Sequence, residues 1–258
     1  MEQKYKVCVF SQCFNELETG HLSRWINNVK KFADVIAVYS DGSTDGSYEY
    51  LVPFCDLLIK GKTNAWKNEL KHKQNLMIEV QTKLKPDFIF WLDIDEIASR
   101  QIVENIQIMC HTMRKNKYDG AFFREINLWK SEDKYRVDDD FFDTNPNSNI
   151  GWFCRLWDCG NSKKLEFLSK EKKKKEDPTI QKEGLHHQQY PMNINFTIKN
   201  PYVVLHYGFS SEQLIKNKYE RYKKTGQIGP SLERISPDSK AVLVKANPEW
   251  FVKKELIK

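Results

Sequence analysis

Asp93, Asp95 and Glu96 put three carboxylates within four positions, directly after the apolar run at residues 88–92. Carboxylates drawn out of water need a compensating charge. A hard divalent cation such as Mg²⁺ or Mn²⁺ supplies one, binding such oxygens together with phosphate groups. The same three acids also suit the first turn of a helix, where they stabilise exposed N–H groups without any metal. A second cluster, Asp41-Gly42-Ser43-Thr44-Asp45-Gly46-Ser47, sets a carboxylate beside a glycine-rich turn that a base or ribose can approach closely. Asp, Gly and Ser are turn formers in their own right, so this segment alone also reads as a tight turn. His206, in the run 204–209, is a third candidate: neutral imidazole ligates a transition metal, and imidazolium pairs with phosphate. A core histidine bonded to backbone is the competing reading.

The elements that must position these groups follow from periodicity. Short β-rich runs at 5–10, 34–39, 56–59 and 88–92 predict four strands, and helical spacing of Leu22, Trp25, Ile26 and Val29 predicts a helix within 17–32. A short helix is expected from Ser47 to Leu51, a long amphipathic one over 64–84, and another over 99–116. Alternation of this kind predicts a parallel, doubly wound α/β sheet, whose ligands bind where the strands end. Asn15 and Glu16 follow the first strand, Asp41 the second, Lys60 and Lys62 the third, and Asp93 and Asp95 the fourth. Beyond residue 116 the pattern changes. Strands at 120–129, 152–157 and 203–207 are separated by long polar connections, and a basic helix is expected over 211–225. Pro230, Pro237 and Pro248 predict short surface elements in the tail.

The chain has 258 residues, 40% hydrophobic and 29% charged, with 11 Gly and 9 Pro, which excludes disordered and collagen-like classes. Lys172 to Lys175 supply four of the positive charges behind a formal +6. A mild surplus of this kind favours anionic small ligands and argues against a nucleic-acid partner. The six cysteines form no CxxC pair and several lie in apolar runs, as reduced thiols do. With no apolar run near the roughly 18 residues of a membrane span and no signal-peptide pattern, a cytoplasmic location is expected. Aromatics at Trp152, Phe153 and Trp157 suit a core strand better than a sugar-stacking wall. Lys216, Lys218, Arg221, Lys223 and Lys224 read as a solvated helix face, with peripheral contact to an anionic membrane as the other reading.

Asn15-Glu16, then Trp25 on a helix, then a hydrophobic strand into Asp41–Gly46, then Asp93-x-Asp95, together resemble family 2 glycosyltransferases of the GT-A fold. The resemblance covers residues 5–96. It implies an α/β, Rossmann-like, mostly parallel central sheet flanked by helices, with a mixed α+β acceptor-side half. The whole chain, 1–258, is then one domain, with a nucleotide-sugar-binding half at 1–116, an acceptor-side half at 117–225 and a surface tail at 226–258. It further implies donor binding by Asn15, Glu16, Asp41 and Asp93, with Lys67 or Lys73 contributing a basic group, and Mn²⁺ or Mg²⁺ held by Asp95, Asp93 and His206. Partners would be a nucleotide-sugar donor and a glycan or lipid-linked acceptor. Where some members carry Leu-His-Glu, this chain reads Leu185-His186-His187, so the acid is replaced. Imidazole, with a reference pKa of about 6.5, can take a hydroxyl proton, and so can Glu183 or Asp158, which leaves His187, Glu183 and Asp158 as candidate bases. A nucleotidyltransferase is the less supported alternative, because residues 10–15 contain no glycine for a phosphate loop. A catalytically silent binding protein of the same fold is the other.

Overall fold

The computed structural model describes residues 4–62, 69–138, 151–160, 164–167, 190–224 and 230–252. β1 (Val7–Cys13), β2 (Val35–Ser40) and β4 (Phe88–Trp91) are apolar almost throughout and buried on both faces, which is the pattern of strands covered by helices on either side. With β3 (Leu57–Lys60) they form a parallel array in the order β3-β2-β1-β4.

The sheet does not stop there. β8 (Trp152–Asp158) adds antiparallel to β4, β6 (Gly120–Asn127) antiparallel to β8, β9 (Thr197–His206) parallel to β6, and β5 (Glu96–Ala98) antiparallel to β9. Eight strands thus run in the order β3-β2-β1-β4-β8-β6-β9-β5, mostly parallel on one side and mixed on the other. The two halves divided at residue 116 therefore share one sheet. A separate antiparallel pair joins β7 (Lys134–Arg136) to β10 (Leu243–Lys245).

Alternation along the strands sorts the core into two layers. Val7, Val9, Ile36, Val38, Phe88 and Phe90 cluster with α1 (His21–Val29) through Leu22, Trp25 and Ile26, with α2 (Ser47–Leu51) through Leu51, and with α4 (Arg100–Asn116) through Ile102, Ile106 and Met109. Cys8, Phe10, Ala37, Ile89 and Trp91 cluster with Leu76 and Met77 of α3 (Glu69–Glu79), and with Trp157 and Phe167. All six cysteines are free thiols, and burial pushes Cys13, Cys55 and Cys154 up to about 12, so they serve as small apolar side chains.

Several expectations shift. The first helix starts only at His21, after Gly20 takes the left-handed φ of 76° that a side chain would resist. The expected helix over 64–84 is α3 from Glu69, relaxing into a π-helical turn at Val80–Leu84, with residues 63–68 outside the described residues. β9 is longer than expected. β5 was not anticipated: Glu96 opens a strand, and the helix after it begins at Arg100, so the three acids do not cap a helix. One edge of β5 pairs with β9, and Asn28 of α1 holds the other, its Nδ2 donating to Ala98 O and its Oδ1 accepting from Ala98 N, both at 2.9 Å. No helix among the described residues is long and apolar enough to cross a membrane.

Candidate active site at the carboxyl ends of the strands

The loops after β1 and β2 are laced together. Asn15, at φ 51°, accepts from Thr44 N at 2.8 Å through Oδ1 and donates its backbone N–H to Ser43 Oγ at 3.2 Å. Ser47 Oγ accepts from Glu16 N at 2.9 Å and Leu17 N at 3.1 Å, and Asp45 Oδ2 accepts from Leu17 N at 3.0 Å. Asp45 is partly buried, yet bonds from Ser47 and Leu17 hold its carboxyl below the usual range. Ser43, Asp45 and Ser47 therefore shape the turn. Asp41 is buried, with its N–H on Cys13 O at 2.8 Å and its Oδ1 3.5 Å from His72 Nδ1. The His72 ring stacks on Tyr39 with centroids 4.4 Å apart, and its pKa is lowered by burial, against the pull of Asp41. Gly61 closes this corner, since a Cβ there would lie 2.9 Å from Ser40 O.

After β4, Trp25 Nε1 donates to Leu92 O at 3.1 Å and so fixes the approach to the acids. The two aspartates then diverge. Asp93 Oδ1 accepts from Trp91 Nε1 at 2.6 Å, and its Oδ2 faces Arg155 at 3.5 Å. Lys73 lies over the same Trp91 ring, 3.6 Å from its centroid, and pairs with Glu69 at 2.5 Å. Arg155 also binds Glu96 and, at 3.0 Å, Glu125. Burial pushes the Glu96 carboxyl well above the carboxylate range; Arg155 opposes this, while Asp93 and Glu125 add to it.

Asp95 faces the other way. Its Oδ2 lies 3.0 Å from His206 Nε2 and 3.1 Å from Lys218 Nζ, and Lys218 Nζ lies 3.2 Å from His206 Nε2. Sheet register builds this group: Glu96, His206 and Asn127 are neighbours across β5, β9 and β6, and His206 Nδ1 meets Asn127 Oδ1 at 2.6 Å. Lys218 arrives from α5 (Glu212–Lys224). Burial alone would raise the Asp95 pKa, but Lys218 and His206 hold it well below the usual range. Glu16 is pushed up to about 7 by burial and by Asp95.

His21 at the start of α1 is 3% exposed and its pKa is lowered to about 4, mainly by burial, with Asp95 opposing. An unfolded imidazole takes its proton near 6.5 whereas the folded one resists to about 4, so the unfolded chain binds more protons between them. Stability from this residue is complete above pH 6.5 and falls as pH drops toward 4, by about 3 kcal/mol. Glu16 acts oppositely, since a raised carboxyl loses stability as pH rises from about 4.5 to 7. Urea unfolding of wild type and His21→Asn at pH 7 and 4.5 isolates the first effect. The stability gap between the two proteins should move in favour of the variant at pH 4.5, and a gap unchanged with pH would refute the assignment.

Asn15, Glu16, Asp41, Lys73, Asp93, Asp95 and His206 thus lie in the loops and strand ends at one end of the sheet or in α3 beside them. Asp158 does not. It pairs with Phe88 at the start of β4, the opposite end from Asp93, and accepts from Arg114 Nε at 2.6 Å. A carboxylate neutralised there by a guanidinium does not serve as the base. Lys67, Glu183 and His187 lie outside the described residues. Sequence reading missed His72, Arg155 and Lys218. Only Lys218 left a signal, three residues after the buried Ile215 and so on the inward face of α5 rather than the solvated one.

The expected metal set of Asp93, Asp95 and His206 does not assemble. Asp93 is turned to Trp91 and Arg155, and an ammonium stands against the two remaining donors. Among the described residues no group of three His, Cys, Asp or Glu side chains is placed to hold a metal ion.

No family model and no curated protein matches the sequence. Among solved structures, the crystal structure of S. aureus TarS 1–349 matches with a TM-score of 0.47 and 12% identity, over 89% of this chain and 69% of that one.

Proposed function

We propose that this chain is a glycosyltransferase of the GT-A fold, moving a sugar from a nucleoside-diphosphate sugar to a hydroxyl of a glycan or lipid-linked acceptor with inversion. The observation that carries the reading is the placement of Asp41, Asp93, Asp95 and His206 at or just beyond the carboxyl ends of β2, β4 and β9 in one mostly parallel sheet, on the motifs that resemble that family. Asp41 and the Asn15–Glu16 turn would receive the nucleobase and ribose, Asp93 the ribose, and the Asp95 side the diphosphate. Lys73, held under Trp91, stands beside the Asp93 end. A base must remove the acceptor proton as its oxygen attacks the anomeric carbon, and His187 and Glu183 remain the proposed groups. Mn²⁺ or Mg²⁺ belongs to the family pattern, but the donor set among the described residues does not fit one.

Thermal unfolding against UDP, GDP, dTDP and their common sugars, each with Mn²⁺, Mg²⁺ or EDTA, tests the reading. One nucleotide class should stabilise the protein, by about 2.7 kcal/mol at 100-fold over its dissociation constant. Turnover of the matching nucleotide sugar should follow. Binding without turnover on any acceptor would favour a silent binding protein, and no response to any nucleotide would overturn the proposal.

A further inference from the structure

We propose that the Lys218 ammonium is the resident cation of this site, seated on Asp95 and His206 where a divalent ion would otherwise stand, so that a diphosphate binds there without added metal. The diphosphate half of this statement rests on the transferase reading; the seating of the cation does not.

Asp95 Oδ2, His206 Nε2 and Lys218 Nζ form a near-equilateral triangle with edges of 3.0, 3.1 and 3.2 Å. The Asn127 amide oxygen can only accept, so His206 Nδ1 carries a proton; with Nε2 also protonated the ring donates to Asp95, and with Nε2 bare it accepts from Lys218. In either form the Asp95 carboxylate takes the ammonium, which donates to Oδ2 at 3.1 Å and stands 3.2 Å from the ring nitrogen. Its side chain is only 11% exposed, so the ammonium is built into the protein rather than swept across its surface. Phe209 lies under it, 4.5 Å from ring centroid to Nζ. Gly208 makes the triangle possible: a Cβ there would fall 2.5 Å from Lys218 Nζ, 2.6 Å from Asp95 Oδ2 and 2.7 Å from His206 Nε2.

An ammonium has three donors, and Asp95 and His206 take at most two of them, which leaves at least one for a ligand oxygen. A divalent ion on Asp95 and His206 would find two protein ligands and a fixed positive charge beside it. Asp93, the natural third ligand, is engaged elsewhere. The same charge that repels a metal attracts a phosphate.

Two titrations on metal-free full-length protein test this. In the first, Mn²⁺ is added and its unbound fraction followed by electron paramagnetic resonance. Wild type and Lys218→Arg should show no binding below about 100 μM, and Lys218→Met should gain at least about tenfold in Mn²⁺ affinity as the two donors are vacated. In the second, inorganic pyrophosphate and UDP are titrated calorimetrically in EDTA. Wild type and Lys218→Arg should bind, and Lys218→Met should bind at least about tenfold more weakly. Tight Mn²⁺ binding by wild type that Asp95→Asn abolishes would overturn the proposal, as would pyrophosphate or UDP binding that appears only with Mn²⁺. Should Lys218→Met fail to fold by circular dichroism, wild type and Lys218→Arg still decide both points. If Mn²⁺ behaves as expected but neither pyrophosphate nor UDP binds under any condition, the seated cation stands and the transferase reading falls.

Discussion

Replacing Asp95 by asparagine is expected to lower sugar transfer by about 10²–10³-fold, or about 3–4 kcal/mol of transition-state stabilisation. Asp95 touches both His206 and Lys218, so its charge fixes where these two side chains point. An amide of the same shape accepts one hydrogen bond but no longer balances the ammonium, which then swings away or loses its proton. On the proposed transferase reading, the groups that would meet the leaving diphosphate are thereby misplaced just as its charge develops. Loss of a buried charge also costs stability, so initial rates must be read below the melting temperature of the variant. Circular dichroism should show the same fold. Wild-type turnover by Asp95→Asn, on the donor selected by nucleotide binding, would remove Asp95 from the site.

Arg155→Met carries the largest expected effect on stability. Arg155 is buried among Glu96, Glu125 and Asp93, and its own pKa is raised by these acids despite the cost of burial. Removing the guanidinium leaves carboxyls packed inside with no counter-charge, a loss of about 3–5 kcal/mol. For a chain of this size that is a fall in Tm on the order of 10 °C. The sign with pH is fixed. Glu96 already holds its proton unusually well, and without Arg155 it holds it better, so the folded variant binds more protons than the unfolded chain and gains stability as pH falls through the ordinary carboxylate range. Urea unfolding at pH 7.5 and 5 should show the deficit shrinking in the acid. A deficit that is small at both, or that grows in the acid, would mean that Arg155 is not holding ionised carboxylates.

What the sequence made legible was local. β1, β2 and β4 announce themselves because buried parallel strands are unbroken apolar runs, and the acids beyond them follow from the rule that such sheets bind ligands at those ends. The strand that Glu96 opens leaves no sequence signal, because three residues carry no periodicity. β5 exists through β9 and the Asn28 side chain, contacts 70 or more positions away. The fate of Asp93 was hidden for the same reason: Arg155 comes from a strand of the other half, and only antiparallel register brings it to β4. Asp158 failed as a base because register also decides which end of a strand faces the site. Lys218 sits in a basic run that reads as a solvated helix face, although its spacing from Ile215 marks the inward one.

The stitching of Asn15, Glu16 and Leu17 to Ser43, Thr44, Asp45 and Ser47 bears on the kinetics of recognition. Two loops that bond to each other through backbone and side chain have already given up their freedom during folding, so a ligand entering on that side has little left to order. Association there should proceed on a preformed surface, with a single concentration-dependent phase in stopped-flow and no saturating rearrangement step. If Asp41 receives the base as proposed, discrimination between one base and another is a matter of fit to a rigid mould around Asp41 and Tyr39, and a change of donor preference calls for a change in those side chains rather than in loop length.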